Sequence, residues 1–290
     1  RRQRQMCIRD SHKRQERTLE DFMVNRFGKK LYQTFFEGYT EKVWGKSPRN
    51  LSADWGSQRI KGISIGAVLK DFFQRALHLQ QKKVETSLIE RFAYPKYGPG
   101  EFYECLRDEV LRRGGEIRMN ADTIGFTGGN DKKISAVLYR DDQGKIQRVE
   151  ADYVLSSMAV KDLAATLPEG WLDEKDKETA ATLPYRDFMT AGLLVDRLEL
   201  QNHTRHRTLN NIVPDCWIYI QEPEVRIGRL QIFNNWSPYM VKDPLHTVWI
   251  GLEYFCQEGD SFWSMKDEDF LHFAEQELIK IHVIRKGAVK

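Results

Sequence analysis

Residues 30–62 read KLYQTFFEGYTEKVWGKSPRNLSADWGSQRIKG, and they are the most informative stretch of the chain. Within it, Phe35, Tyr39 and Lys42 recur at spacings of four and three residues, which predicts a helix with an aromatic stripe. Gly45 and a proline three residues later are expected to end that helix, because proline cannot continue it.

A second short helix is expected to follow, with Ser52 as its N-cap and with Trp55 and Arg59 along it. Together with Trp44 of the first helix, these residues provide aromatic walls beside an arginine. Guanidinium groups bind phosphate and carboxylate bidentately, so the pattern favours a flat or sugar-like ligand that carries such a group. A pair of packed helices with aromatic core residues and solvated cations explains the same pattern without a ligand.

Residues 38–45 read GYTEKVWG, which resembles the GYTEKQWG signature of UDP-galactopyranose mutases. Those enzymes belong to a wider group that includes flavin amine oxidases and protoporphyrinogen-oxidase-like proteins. The resemblance implies that Trp44 and Arg59 face the sugar diphosphate of a substrate, and Tyr39 is a further candidate for substrate contact. Val43 and one inserted residue before Arg59 depart from the mutase pattern.

The composition excludes several classes of protein. At 290 residues and 41% hydrophobic content, the chain is long enough for one large or two ordinary domains. No apolar run approaches the roughly 20 residues of a membrane span, and no signal peptide is visible. The cysteines lack metal-ligand spacing, which indicates a reduced, cytoplasmic context and no metal site: Cys7, Cys105, Cys216 and Cys256.

The formal net charge of +3 comes from the first eleven residues, RRQRQMCIRDS. The rest of the chain has 41 basic and 41 acidic residues, so its charge balance argues against a nucleic-acid partner. The same eleven residues resemble a translated sequencing adapter. We therefore expect residues 1–12 to be a non-native tail.

Residues 13–93 are predicted to be mainly helical. One helix is expected to begin at Thr18, whose capping box includes Asp21, and another to span residues 63–79. This part is expected to belong to a substrate domain.

Residues 94–100 read YPKYGPG, a rigid turn that opens onto a helix predicted at 101–113. The turn resembles the YPxGGxG turn of flavin amine oxidases, with Pro99 in place of one glycine. The resemblance implies that Gly98 and Gly100 lie beside a flavin ring.

Residues 94–165 are expected to form part of an FAD-binding domain. Strands are predicted at 116–119, 123–127, 134–140, 148–150 and 151–158, the last of them buried. Their order resembles the middle part of the flavin-binding domain in the same superfamily. The resemblance implies that the backbone of Thr123 meets the adenine and that Ser157 and Met158 lie near the cofactor.

Residues 166–284 are predicted to complete the substrate domain, before a truncated end at 285–290. We expect a polar connector at 166–184, strands at 188–195, 216–221, 228–234 and 247–256, and a helix at 266–281 capped by Ser264. Asn235 lies in a run of amides and aromatic residues that suits either a pocket wall or a turn. Glu253 alternates with Tyr254 in a strand, and is either edge-exposed or facing a cavity.

No G-x-G-x-x-G loop, which would seat a cofactor pyrophosphate, follows a strand in this sequence. The resemblance covers residues 13–284 and is expected to correspond to the middle of a longer enzyme. We predict an α/β fold, the middle part of a two-domain FAD-binding amine-oxidase-like fold with an α+β substrate domain.

The predicted function is that of an FAD-dependent oxidoreductase that transfers a hydride to the flavin from a C–H bond next to a heteroatom. The fragment alone is expected to be inactive. One alternative is a flavin-dependent sugar isomerase similar to the mutases, which would act on a nucleotide sugar. A binding module without enzymatic activity is a further alternative. The sequence identifies no catalytic residue.

Overall fold

A computed structural model describes residues 15–59 and 92–290 of the chain. The described residues form two compact units, one made of 15–59, 92–101 and 186–290 and the other of 102–185. The expected tail at 1–12 and the helix predicted at 63–79 lie outside the described residues.

The first unit begins with helix α1, Leu19–Phe27, which starts as its capping box predicts. The Thr18 hydroxyl accepts the Asp21 N–H at 3.2 Å, while the Asp21 carboxylate accepts the Thr18 N–H. Gly28, with a φ of 79°, turns the chain into α2, Lys29–Tyr32. The capping signal therefore sets the start of the helix, and the glycine sets its end.

A π-helical turn, Gln33–Glu37, leads into α3, Gly38–Trp44. This helix ends at Gly45, whose left-handed φ of 63° is the usual C-terminal stop. Helix α4, Ala53–Arg59, follows, with the Ser52 hydroxyl accepting the Asp54 N–H at 3.2 Å. A small core holds the helices together, formed by Leu19, Phe22, Met23, Tyr32 and Ala53.

Helix α5, Pro99–Arg112, leads into the second unit. There the strands β1, Asp122–Gly128, β2, Ile134–Arg140, and β3, Ile146–Glu150, form an antiparallel sheet in the order β1-β2-β3. Helices α6, Val160–Thr166, and α7, Glu174–Ala181, complete the unit.

Three sequence predictions are wrong in this unit. Residues 116–119 and 151–158 form no strand, and the side chains of Tyr153 and Leu155 are 92% and 101% exposed. A strand requires a neighbour with which to share a series of backbone hydrogen bonds. In the described chain neither segment joins a sheet, and the pairing of 151–158 stops at the Ala151 N–H, which donates to the carbonyl of Ser135 at 3.1 Å. The predicted connector at 166–184 contains α7, whose N-cap is Asp173. The sequence prediction missed this helix because its run of mixed charges shows no apolar periodicity.

The second sheet belongs to the first unit and is antiparallel, in the order β4-β7-β6-β5. Its strands are β4, Asp187–Val195, β5, Trp217–Tyr219, β6, Arg229–Ile232, and β7, Val248–Cys256. All four overlap the predicted strands. The predicted strand at 228–234 is too long, because Phe233–Trp236 forms a helical turn, α8.

Helix α9, Asp267–Lys280, covers one face of this sheet. Its N-cap is Lys266, so the prediction of Ser264 as the cap is wrong. Ser264 belongs to a preceding turn, where its N–H donates to the carbonyl of Asp260 at 3.0 Å. The main core lies between the helix and the sheet and includes Leu230, Ile250, Leu252, Tyr254, Phe270, Ala274 and Leu278.

Among residues 15–59 and 92–290, the helices do not combine the length and apolar character that a bilayer crossing requires.

Candidate functional site

The face of the second sheet opposite α9 carries the candidate site. Alternation along β7 puts Leu252 and Tyr254 into the core and turns Glu253 and Phe255 toward the other face. The register pairs Glu253 with Arg229 of β6, so these two side chains share that face. The exposed-edge alternative for Glu253 is wrong, because Glu253 is buried and pairs with Arg229.

Aromatic rings pack closely against glycines in or next to the strands of this sheet. A Cβ added to Gly228 would stand 2.5 Å from the ring of Phe255, and one added to Gly251 would stand 3.0 Å from the ring of Phe233. Both distances are too short for ordinary contact, so only glycine permits the rings to pack there. The result is an aromatic surface on the sheet.

A cavity of about 740 Å³ lies between this surface and the helices of the first unit. Its helical wall is formed by Met23, Phe35, Phe36, Tyr39, Thr40, Val43, Trp44 and Trp55. Its sheet wall is formed by Tyr219, Gln221, Arg229 and Phe255. The size and the apolar lining are typical of small-molecule sites.

The aromatic side chains of the cavity pack edge to face. The rings of Trp44 and Trp55 have centroids 5.3 Å apart, and those of Tyr39 and Tyr219 are also 5.3 Å apart. Burial raises the pKa of Tyr39 to about 12, against the weaker opposing effect of the Arg229 charge. Tyr39 therefore keeps its hydroxyl proton at neutral pH and serves the cavity as a hydrogen-bonding group.

Arg229 is the only charged side chain among the described residues that line the cavity. Its guanidinium forms an ion pair with Glu253, whose other carboxylate oxygen accepts a hydrogen bond from the Gln231 amide at 2.6 Å. The guanidinium carbon also lies 5.5 Å from the ring centre of Trp217 and 5.7 Å from that of Phe255. The arginine is thus held in place, and its charge is neutralised by a buried carboxylate.

The structure places the predicted substrate residues in different surroundings. Trp44 and Tyr39 lie together on α3 and line the cavity. Arg59 is the last residue of α4, and its side chain is outside the described part of the chain. The Asn235 amide donates to the backbone carbonyls of residues 213 and 215, at 2.7 and 2.9 Å.

The predicted flavin turn is anchored to the first unit by aromatic and polar contacts. The ring of Tyr94 stacks on Trp236 with centroids 5.0 Å apart, and the Ser237 hydroxyl donates to the carbonyl of Lys96 at 2.6 Å. Gly98 has a φ of 92°, which favours glycine. A Cβ at Gly100 would meet nothing within 4 Å, so the backbone there is open to a ligand.

The remaining predicted cofactor residues belong to the second unit. Thr123 on β1 lines a cavity of about 360 Å³ together with Arg118 and Tyr139. Ser157 is exposed, and the N–H of Met158 donates to the Ser156 hydroxyl at 3.2 Å. The described residues of neither unit contain a group of acidic, histidine or cysteine side chains that could hold a metal ion.

Sequence reasoning missed the sheet wall of the cavity. Tyr219, Arg229 and Phe255 lie on three different strands, and only their register brings them together. The available signal was alternation, because an arginine and a glutamate in strands that are otherwise apolar indicate a partnered polar face.

Solved structures share this fold. A reduced UDP-galactopyranose mutase matches with a TM-score of 0.70 at 15% identity, over 97% of this chain and 56% of that one. A putative protoporphyrinogen oxidase from Exiguobacterium sp. 255-15 matches with a TM-score of 0.61 at 15% identity, over 98% and 56%. An oxidoreductase from Methanosarcina mazei matches with a TM-score of 0.59 at 11% identity, over 98% and 56%.

The chain has the amine-oxidase-like fold. The predicted fold is confirmed by these matches, and the chain spans 56% of the length of each of the three. No protein-family model matches the sequence, and neither does any curated protein.

Proposed function

We propose that this chain provides the substrate cavity, and part of the cofactor site, of an FAD-dependent oxidoreductase. The observation that supports this best is the aromatic cavity, in which Glu253 already neutralises the only charged lining residue described, Arg229. Such a cavity suits an uncharged or apolar molecule. FAD, when bound, would supply the hydride chemistry, taking a hydride from a C–H bond next to a heteroatom.

Several residues of the chain fit a flavin. The backbone at Gly100 is open, and Gly98 beside it adopts a conformation that glycine favours. The stacked pair of Tyr94 and Trp236 keeps this turn against the unit that carries the cavity. We assign Gly98 and Gly100 to the flavin ring. Thr123, Ser157 and Met158 stay cofactor candidates on the strength of the sequence resemblance alone.

The substrate would be held by the residues of the cavity itself. Trp44 and Trp55 present a wall of aromatic rings, and stacking against them orients a flat molecule. The neutral hydroxyl of Tyr39 can donate one hydrogen bond to such a molecule or accept one from it.

The second candidate is a flavin-dependent mutase that acts on a nucleotide sugar. Trp44 and Tyr39 of the GYTEKVWG run favour it, because both line the cavity. A diphosphate needs unpaired cations, however, and the described lining offers one arginine whose charge is already paired. Arg59 is the remaining candidate for that role.

The two candidates differ in what the FAD-loaded protein produced from the complete gene would bind and oxidise. We expect anaerobic mixing with a panel of amines and other apolar donors to bleach the oxidised flavin absorbance. Trp44→Ala should raise the donor concentration for half-maximal bleaching about tenfold, because it removes one aromatic contact worth about 1 kcal/mol or more. Flavin content should be unchanged, and Trp263→Ala, outside the cavity lining, should leave bleaching unaltered.

UDP distinguishes the alternatives in the same protein. We expect the dissociation constant for UDP to be above about 1 mM, because the described lining offers a diphosphate no unpaired cation. Tight UDP binding that Arg59→Ala weakens tenfold to a hundredfold, roughly the value of a charge-assisted contact, would favour the mutase. If the protein shows no bleaching and no UDP binding, a non-enzymatic binding module is favoured.

A further inference from the structure

Lys42 is a motif residue that does not line the cavity. It lies on α3 between Tyr39 and Trp44, and its ammonium group points to the connection between β5 and β6. There it donates hydrogen bonds to the carbonyls of Ile220 at 3.1 Å, Glu222 at 2.9 Å and Ile227 at 3.1 Å. All three ammonium protons are therefore engaged with backbone.

We call residues 220–228 the β5–β6 loop, and a second charge holds this loop from another side. Glu277 on α9 is buried, and its carboxylate accepts the N–H of Arg226 at 2.5 Å and that of Ile227 at 2.9 Å. A buried carboxylate that accepts two backbone N–H groups is well satisfied without a direct cation.

The peptide groups of Ile227 connect the two charges. Its carbonyl accepts from Lys42, and its N–H donates to Glu277. The peptide dipoles are thus aligned between an ammonium and a carboxylate that form no salt bridge with each other. Burial lowers the pKa of Lys42, and the negative charge of Glu277 opposes that effect.

The contacts of Lys42 with the β5–β6 loop join the two walls of the cavity. Helix α3 carries Tyr39, while the β5–β6 loop connects Tyr219 on β5 to Arg229 on β6. The Tyr39 and Tyr219 rings touch at this end of the cavity, with centroids 5.3 Å apart.

Two further contacts join the helical wall to the sheet: the Gln221 amide donates to the carbonyl of Phe35 at 3.3 Å, and Arg186 bonds to the residue after Lys42. The Arg186 guanidinium donates to the carbonyl of Val43 at 3.0 Å and to that of Phe255 at 3.1 Å. Losing Lys42 would therefore remove the three hydrogen bonds that join α3 to the β5–β6 loop, while Arg186 would still hold Val43, the next residue of the helix, against Phe255 of β7.

We propose that Lys42 is the positioning residue of the cavity, and that it acts with Glu277 through the β5–β6 loop. Together they fix the separation between Tyr39 on the helical wall and Tyr219 on the sheet wall. Lys42 is not a catalytic residue, because its protons are all taken by carbonyls outside the cavity. The functional meaning of this role rests on the proposed use of the cavity as a substrate site.

The experiment compares Lys42→Met with Lys46→Met in the full chain. Methionine keeps the approximate length of the side chain without its charge, and Lys46 is an exposed lysine directly after the same motif. Nuclear magnetic resonance on a tyrosine-labelled sample would report the contact between the Tyr39 and Tyr219 rings. Hydrogen exchange of the Ile227 amide would report opening of the loop.

We expect Lys42→Met to abolish the Tyr39–Tyr219 contact and to speed Ile227 exchange about tenfold or more, the effect of losing charged hydrogen bonds. The Trp44–Trp55 contact should persist, because Arg186 still holds Val43, the residue beside Trp44. Lys46→Met should change none of these signals. Equal behaviour of the two lysine variants would overturn the proposal.

Glu277→Gln provides a second variant in case Lys42→Met does not fold. It should also speed exchange of the Ile227 amide. In the double variant with Lys42→Met, the amide should exchange several-fold more slowly than the product of the two single effects predicts, because no charge is then left without its counterpart. Multiplicative effects would show two independent contacts and overturn the pairing. These readouts need neither flavin nor substrate, so their failure would not touch the proposed function.

Discussion

Glu253→Ala is expected to lower the free energy of unfolding by about 3 kcal/mol, because it leaves Arg229 without its buried counter-charge. The Glu253 side chain is only 4% exposed, while that of Arg229 is 26% exposed. Water can therefore solvate the unpaired guanidinium and offset part of the lost stability. For this reason we expect the lower end of the range seen for broken buried pairs. Chemical denaturation, followed by far-ultraviolet circular dichroism, measures the change.

Two controls separate the charge from the packing. Glu258→Ala, two residues after β7 and exposed, should change the stability by less than about 0.5 kcal/mol. Arg229→Met combined with Glu253→Ala should recover much of the loss, since no unpaired charge remains. If Glu253→Ala and Glu258→Ala destabilise equally, the ion pair does not support the cavity wall.

Gly228→Ala is expected to destabilise the protein by about 2 kcal/mol through overpacking. The new methyl group would stand 2.5 Å from the Phe255 ring, which lines the cavity. The backbone cannot easily move away, because Gly228 donates to the carbonyl of Glu253 at 2.9 Å and accepts from the Ile220 N–H at 3.0 Å. The ring must therefore shift, and the cavity changes shape with it.

Gly38→Ala is the matched control for this change. Gly38 lies in α3 with ordinary helical φ and ψ, and a Cβ there would meet nothing within 4 Å. Alanine should stabilise that helix by roughly 0.5–1 kcal/mol. Thermal unfolding should show opposite signs for the two glycine variants, and a neutral Gly228→Ala would contradict the packing of Phe255 on the sheet.

Local chemistry made much of the fold predictable. The capping box at Thr18 and the stop at Gly45 act within a few residues, so the sequence contains all the information that they need. The strands of the second sheet were predictable for a similar reason, since apolar alternation reports a buried face. Segment 151–158 failed because an apolar run shows a tendency to be buried without showing what covers it.

The candidate site was predictable on one wall only. Trp44 and Tyr39 are separated by five positions on one helix, so a motif could identify them together. Arg229 meets them only through the pairing of β6 with β7, and its neutralisation by Glu253 depends on register. Long-range pairing of this kind leaves no periodic signal in a single sequence.

The visible absorption spectrum of the protein produced from the complete gene that encodes this chain tests the central claim most directly. We predict a yellow protein with one bound FAD per chain, whose flavin is bleached anaerobically by a donor that enters the cavity between α3 and the second sheet. A colourless protein that takes up no FAD when it is added, and that still unfolds in a sharp cooperative transition, would contradict the account.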